Sequence, residues 1–254
     1  MSICKIALKD VEKIDFIVTN GITGQQVYSK YKPDFMINAA LYDMASKTNI
    51  TNAKDEGKTE GYLFSNEGIG IKGENSLMWC SKSEEVRDFI AGAPTLVKGG
   101  VKSIDWGNKY STYVDGSHKR SCIGFNDTHL FLVASDYNNT ISGLAEYCIK
   151  QGMQYAINLD GGGSCHLQHG TKKLKSSSRA NCSWILVYLK KKSLEQEEEE
   201  VMDKVKVKCN GKEQEGFLKD GVTYVPVRFI GDNLGATISW DGTNKTVTVT
   251  KKGE

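Results

Sequence analysis

The sequence predicts an α+β fold: a sheet-rich domain with few helices over residues 1–190, a charged linker at 191–203 and a small C-terminal ββαββ domain at 204–254. Three observations carry this. Strand-like runs bounded by turn residues recur through the first 190 residues, whereas only two stretches there have helical spacing. Three prolines against 26 glycines suit a chain with many tight turns. Lys190-Lys191-Lys192-Ser193-Leu194-Glu195-Gln196-Glu197-Glu198-Glu199-Glu200 carries charge blocks that cannot pack into a core, so it reads as a linker or a solvated helix.

Taken in order, strands are expected at 15–19, 35–40, 61–64, 68–72, 95–98, 121–125, 129–135, 155–159 and 183–189, each a short apolar or β-branched run. The first helix is expected over Ser83-Glu84-Glu85-Val86-Arg87-Asp88-Phe89-Ile90, where a serine cap precedes early acids. The second is expected over 142–151, where Leu144, Cys148 and Ile149 share a face and Gly152 leads into the next strand. So many neighbouring strands favour α+β over a doubly wound parallel sheet. Beyond the linker, strands at 204–208 and 222–225 precede a helix at 227–234 closed by Gly235. A hairpin of 237–240 and 246–250 then turns across Asp241-Gly242-Thr243-Asn244.

Composition narrows the function. Thirty-three basic and 31 acidic side chains leave a net charge of +2, which offers no excess for a polyanion, so nucleic acid is not an expected partner. No run approaches the roughly 20 apolar residues of a membrane span. The start, Met1-Ser2-Ile3-Cys4-Lys5, lacks a signal peptide's apolar core, so synthesis in the cytoplasm without a signal peptide is expected. Seven cysteines without a Cys-x-x-Cys pair fit reduced thiols better than disulfides or zinc.

The segment with the most chemistry in it is Ala156-Ile157-Asn158-Leu159-Asp160-Gly161-Gly162-Gly163-Ser164. An apolar strand runs into a carboxylate and then into glycines, which let a ligand approach main-chain N–H groups of the kind that cradle anions. A plain glycine-rich turn fits the same local pattern. His166 and His169, three residues apart on a strand, would face opposite sides, so no metal is expected there. Cys165 beside them reads as a small pocket-lining residue.

Five segments in register resemble the phosphodiester glycosidase family, whose known member removes N-acetylglucosamine from a phosphodiester. They are Asn38-Ala39-Ala40-Leu41-Tyr42-Asp43, Gly92-Ala93-Pro94-Thr95-Leu96-Val97, Arg120-Ser121-Cys122-Ile123-Gly124, Asp160-Gly161-Gly162-Gly163-Ser164 and Arg179-Ala180-Asn181. The resemblance implies a hydrolase over 1–190 that cleaves a sugar-1-phosphodiester. Phosphate is a good leaving group, so the reaction needs groups to hold it and a carboxylate to stabilise an oxocarbenium-like centre or activate water. On this reading Asp160 is the carboxylate, and Arg120 and Arg179 hold phosphate through paired N–H bonds. Gly161, Gly162, Gly163 and Ser164 add donors, while Asn38 and Asn181 orient the sugar or phosphate. Each also has a local reading as a strand-edge charge, a turn cap or a self-bonded turn. His118 reads as an acid, a base or a phosphate contact, or as a turn histidine, and Asp136 stands where the family often has Asp-Gly-Arg. Ala39 and Ala40 replace the family's usual glycines, which suggests a shifted substrate choice. No cofactor is implied, and a divalent cation bridging Asp160 and phosphate stays open.

From about 205 to 250 the chain resembles the small stalk-like repeat of the copper amine oxidase N-terminal domain, through Tyr224-Val225-Pro226-Val227-Arg228-Phe229 and Ile238-Ser239-Trp240-Asp241. Copper is not implied, because no histidine lies in this stretch. Arg228, Tyr224 and Trp240 read as core residues or as a glycan-binding face. Such repeats accompany bacterial surface proteins, which implies action at the bacterial envelope on a phosphosugar or cell-wall glycopolymer; a phage lysis or tail protein would reach the wall without a signal peptide, and that origin is the expected one. A non-catalytic phosphosugar-binding module and an intracellular hydrolase of nucleotide-linked sugars or signalling molecules are the alternatives. Oligomeric state is left open.

Overall fold

The computed structural model describes residues 1–81, 85–106, 116–191, 203–219 and 221–251. The chain divides into two compact units, Met1–Lys190 and Lys191–Glu254. Three antiparallel sheets build the first unit. The six-stranded sheet runs in the order β1 (Ser2–Ala7), β12 (His129–Ala134), β11 (Ser121–Phe125), β13 (Tyr155–Asn158), β9 (Thr95–Lys98) and β10 (Val101–Asp105). A five-stranded sheet joins β15 (Lys172–Lys175), β14 (Leu167–His169), β3 (Phe35–Asn38), β16 (Asn181–Leu189) and β2 (Val11–Ile22). The other five-stranded sheet orders β5 (Lys58–Glu60), β4 (Ala53–Asp55), β8 (Asp88–Ala91), β6 (Glu67–Lys72) and β7 (Ser76–Ser81).

Alternation along the strands sorts side chains into layers. On β12, Leu130, Leu132 and Ala134 join the main core between sheets, while Phe131 and Val133 face the helix α2 (Ile141–Lys150) through Leu144, Ala145 and Cys148. On β16, Ile185 and Val187 enter the main core, while Trp184 and Leu186 pack with Val27 of the helix α1 (Gly24–Tyr31). Burial on both faces is why these strands read as unbroken apolar runs.

Residues 88–91 are a strand, not the second half of a helix, and residues 83 and 84 of that expected helix lie outside the described residues. Phe89 and Ile90 enter different cores, a period-2 arrangement, and the Asp88 carboxylate serves the edge of β2. It accepts from the Phe16 amide at 3.2 Å and the Glu56 amide at 3.0 Å and pairs with Arg87 at 2.9 Å. Asp55 caps the same edge by accepting from the Val18 amide at 2.9 Å. The Arg87 guanidinium also donates to the Ile14 carbonyl there.

Residues 61–64 form a loop rather than a strand, because Gly61 and Phe64 take positive φ of 64° and 73°. The strand expected nearby lies earlier, at β5. Helix α1 has a sequence signal of its own, the capping box of Thr23 and Gln26.

Gly68 on β6 lies tightly against β8: a Cβ there would collide with the Ile90 carbonyl oxygen and lie 2.8 Å from Ala91 Cα. Backbone cannot rotate aside, so Gly68→Ala is expected to destabilise the first unit by about 3 kcal/mol, read as a lower urea midpoint with unchanged slope. An unchanged midpoint would show that the two strands separate freely.

In the second unit three strands, not two, precede the helix α3 (Val227–Leu234): β17 (Asp203–Cys209), β18 (Lys212–Lys219) and β19 (Val222–Tyr224). The additional strand is β18, whose KEQEGFLK sequence has no apolar alternation. Ion pairs fasten it to β17 instead, Lys204 to Glu215 at 3.0 Å and Lys208 to Glu213 at 2.9 Å. Gly235 closes α3 with φ 71°, and β20 (Ala236–Asp241) and β21 (Thr246–Lys251) form the hairpin. Tyr224 and Trp240 are exposed, 53% and 61%, which withdraws them from a core role; Arg228 is also exposed. In so small a unit there is little interior to hold a large ring.

Candidate active site

Asp160 sits where the six-stranded sheet hands over to the sheet containing β3. As β13 ends, the Leu159 amide donates to the Ser121 carbonyl at 2.8 Å, and the Asp160 amide then crosses to the Ala39 carbonyl at 2.8 Å. Asn38, fully buried at the end of β3, fixes this crossing. Its Nδ2 donates to the Asp160 carbonyl at 2.7 Å, and its Oδ1 accepts from Ser121 Oγ at 2.8 Å and the His166 amide at 2.9 Å. Asn38 is thus a brace beneath the carboxylate rather than a group facing a sugar.

The glycine loop folds inward. Gly161 N–H donates to its neighbour's carboxylate, Asp160 Oδ1, at 2.9 Å, Gly162 N–H to the Lys119 carbonyl at 2.8 Å, and Ser164 N–H to the Gly161 carbonyl at 3.0 Å. These three amides are committed, which removes Gly161, Gly162 and Ser164 from the expected donor array. Gly161 and Gly163 are needed for close approach. A Cβ on Gly161 would stand 2.6 Å from the Lys119 carbonyl oxygen, and one on Gly163 2.7 Å from Arg179 Nε. Gly162 has a φ of 58°.

Above this loop lies a polar cluster. The Ser164 hydroxyl meets both the Asp160 carboxylate and the Tyr42 hydroxyl, so Tyr42 can donate to Ser164 while Ser164 donates to Asp160. Arg179 Nη1 donates to Ser164 Oγ at 3.4 Å, and the Arg179 chain is pinned by Ser177, whose Oγ accepts from the Arg179 amide at 3.0 Å and donates to the Gly163 carbonyl at 2.6 Å. Asn181 Nδ2 donates to the Ser164 carbonyl at 3.0 Å, while its Oδ1 is buried without a partner among the described residues. Burial pushes the Asp160 carboxyl up from 3.8 to about 6, against the opposing pull of the Ser164 hydroxyl, the Gly161 amide and the Arg179 charge.

Arg120 is 1% exposed, and its guanidinium holds the neighbouring loop by donating to the Asn139 carbonyl at 3.0 Å and the Gly116 carbonyl at 2.7 Å. Burial of this kind is invisible in a sequence, where Arg120 and Arg179 look equivalent. His118 is exposed, its backbone paired with Asn139, and Asp136 is exposed and paired with Lys175 at 3.3 Å. His166 is buried, donating or accepting with Gln168 at 3.2 Å and edge-on to Trp184, and burial pushes its imidazole below the usual histidine value. His169 is exposed and stacks on Phe35. Burial raises the Cys165 thiol to about 11, which leaves it unreactive. Ala39 and Ala40 are both in the main core, where their methyl groups fill space between sheets rather than line the loop. Their effect on substrate choice, expected from the sequence, finds no basis there.

The structure therefore brings together Asp160, Ser164, Arg179 and Asn181, with Asn38 and Arg120 beneath or beside them as braces. It adds Tyr42, whose place in the Asn38–Asp43 segment was its only sequence signal. A cavity of about 640 Å³ elsewhere on the unit, lined by Asp15, Asp55, Asp88, Tyr31 and Tyr188 among others, contains none of these residues.

The phosphodiester glycosidase family model matches residues 13–187, and the copper amine oxidase N-terminal domain model matches residues 201–254. The zebrafish N-acetylglucosamine-1-phosphodiester alpha-N-acetylglucosaminidase catalytic domain, solved as auto-inhibited by its pro-peptide, superposes with a TM-score of 0.59 at 16% identity, over 71% of this chain and 73% of that one. A hypothetical protein from Synechocystis superposes with a TM-score of 0.53 at 13% identity, over 74% of this chain and 59% of that one. At these identities the likeness is one of fold. Among curated proteins, none matches the chain.

Proposed function

The chain belongs to the phosphodiester glycosidase family, and on that premise we propose that it hydrolyses a sugar-1-phosphodiester bond of the N-acetylglucosamine type. The observation that carries this is Asp160: a half-buried carboxylate at a strand end, joined to Ser164 and beside Arg179, with its carboxyl raised to about 6. Near neutral pH it is ionised but poorly solvated, the condition in which a carboxylate best stabilises positive charge at an anomeric carbon or takes a proton from water. Arg179 neutralises the departing phosphate, which needs little help from an acid.

The substrate we assign is an envelope glycopolymer, the chain acting at the bacterial surface as phage lysis or tail proteins do. The second unit supports that setting through its match to a repeat domain and through its exposed Tyr224 and Trp240, side chains suited to stacking on sugar rings.

The test is to incubate the full chain with N-acetylglucosamine-1-phosphodiesters, wall glycopolymer fragments and nucleotide-linked sugars, with and without chelator, and to follow released sugar by mass spectrometry. Release from the phosphodiesters and the wall fragments is the expected result. Release from nucleotide-linked sugars alone would move the enzyme off the envelope, and binding without release would make the chain a binding module. Loss of release with chelator would bring a divalent cation to Asp160.

A further inference from the structure

A phosphodiester brings a negative charge to the site, and the groups first expected to receive it are engaged elsewhere: Arg120 holds the Gly116 and Asn139 carbonyls, and the amides of Gly161, Gly162 and Ser164 bond inside the fold. Two exposed cations stand by the cluster instead, Arg179 and Lys47, and among the described residues neither forms an ion pair. Lys47 is delivered by a tight turn after β3. The Asp43 carboxylate accepts from the amides of Ala45 at 2.9 Å and Ser46 at 2.7 Å, the Asp43 amide bonds the Thr48 carbonyl at 2.9 Å, and a Tyr42–Asn49 bridge closes the base. Lys47 itself takes a left-handed φ of 60°, a conformation uncommon outside glycine.

That turn aims the side chain at the site. Lys47 Nζ stands 5.6 Å from the centroid of the Tyr42 ring, and its Cδ passes close to Gly21, where a Cβ would lie 3.7 Å from it and 3.5 Å from the Ala180 carbonyl oxygen. Lys47 thus reaches the segment that carries Arg179 and Asn181. Cys182, two residues beyond Ala180, senses the charges of both Lys47 and Asp160. Tyr42 links the two cations: its ring lies under Lys47, and its hydroxyl meets the serine to which Arg179 donates.

We infer that Lys47 and Arg179 form a two-cation subsite for the phosphate of a phosphorylated sugar, with Tyr42 as its floor. The inference deepens the hydrolase reading and rests on it for the ligand class. A guanidinium gives paired directional bonds and an ammonium gives a point charge, so the pair suits a phosphodiester, whose two non-bridging oxygens are held from different sides.

The measurement is calorimetric titration of the full chain, wild type, Lys47→Met and Lys47→Arg, with N-acetylglucosamine 1-phosphate and with free N-acetylglucosamine. Lys47→Met is expected to weaken the phosphosugar by about tenfold and leave the free sugar unchanged, with Lys47→Arg retaining phosphosugar affinity within about threefold. Equal phosphosugar affinity in wild type and Lys47→Met, equal weakening of both ligands, or no binding of the phosphosugar by the wild type overturns the assignment. Lys47-dependent phosphosugar binding by a chain that releases no sugar would leave the subsite standing and remove the hydrolase. Sugar release with a KM indifferent to Lys47→Met would do the reverse.

Discussion

Asp160→Asn is expected to lower kcat for sugar release by about a thousandfold while leaving affinity for N-acetylglucosamine 1-phosphate within about threefold. The amide has the carboxylate's shape, so it can still accept from the Gly161 amide and the Ser164 hydroxyl. It lacks the charge that would stabilise an oxocarbenium-like centre. Loss of rate with retained binding is the signature of an interaction made in the transition state alone. A variant retaining a tenth of the wild-type kcat would remove Asp160 from the chemistry.

The same residue sets the expected pH dependence. Burial raises its carboxyl to about 6, and the ionised form is the active one, so kcat/KM should be level above that value and fall about tenfold per unit below it. For stability the sign is opposite. The folded-state value lies above the unfolded one, so the folded protein favours the neutral acid; that contribution is complete below about 3.8 and is lost as pH rises through about 6. At neutral pH the native protein therefore holds a charge it would shed if it could. Asp160→Asn should raise the unfolding free energy there, by up to about 3 kcal/mol, while slowing turnover. Thermal unfolding at pH 5 and pH 8 measures the difference, and an equal midpoint shift at both would show that the carboxyl is not perturbed.

Asn38→Ala should cost about 4 kcal/mol, the second large effect. The side chain is fully buried and bonds three separate segments, so its removal leaves the Asp160 carbonyl, Ser121 Oγ and the His166 amide without that partner. Methyl for carboxamide also opens a small polar void. Sugar release should fall at least a hundredfold even well below the unfolding midpoint, because the Asp160 backbone is no longer held. Urea denaturation checks the stability, and a loss below about 1 kcal/mol would mean that water replaces the amide without strain.

What the sequence made legible follows from where apolar side chains lie. β12 and β16 are buried on both faces and announce themselves as continuous runs, and α2 shows its apolar face through Leu144 and Cys148. Elements held by polar contacts were hidden or misread: β18 is fastened to β17 by lysine–glutamate pairs, and β8 begins with an aspartate that looks like part of a helix's first turn until its amide partners on β2 and at Glu56 are seen. The site divides in the same way. Asp160 could be recognised because a carboxylate between an apolar strand and three glycines is conspicuous. Arg120 could not be told from Arg179, since only the fold buries one and exposes the other. Lys47 carried no sequence signal, because its nearness to the site depends on a turn whose closure brings Tyr42 and Asn49 together.

The carboxylates that finish the outer edge of β2 have a consequence for assembly. A strand of twelve residues with unpaired amides along one side is a template to which a strand of another chain can add. Asp88 and Asp55 occupy the amides of Phe16 and Val18, and Arg87 covers the carbonyl of Ile14 just before them and brings a positive charge to the same edge. A second chain would have to displace buried ionic groups to dock there, a heavier cost than displacing water. The first unit thus caps this stretch of its longest strand against intermolecular sheet growth with the side chains of Asp88, Asp55 and Arg87, together with the Glu74 carbonyl that accepts from the Ile14 amide at 2.8 Å.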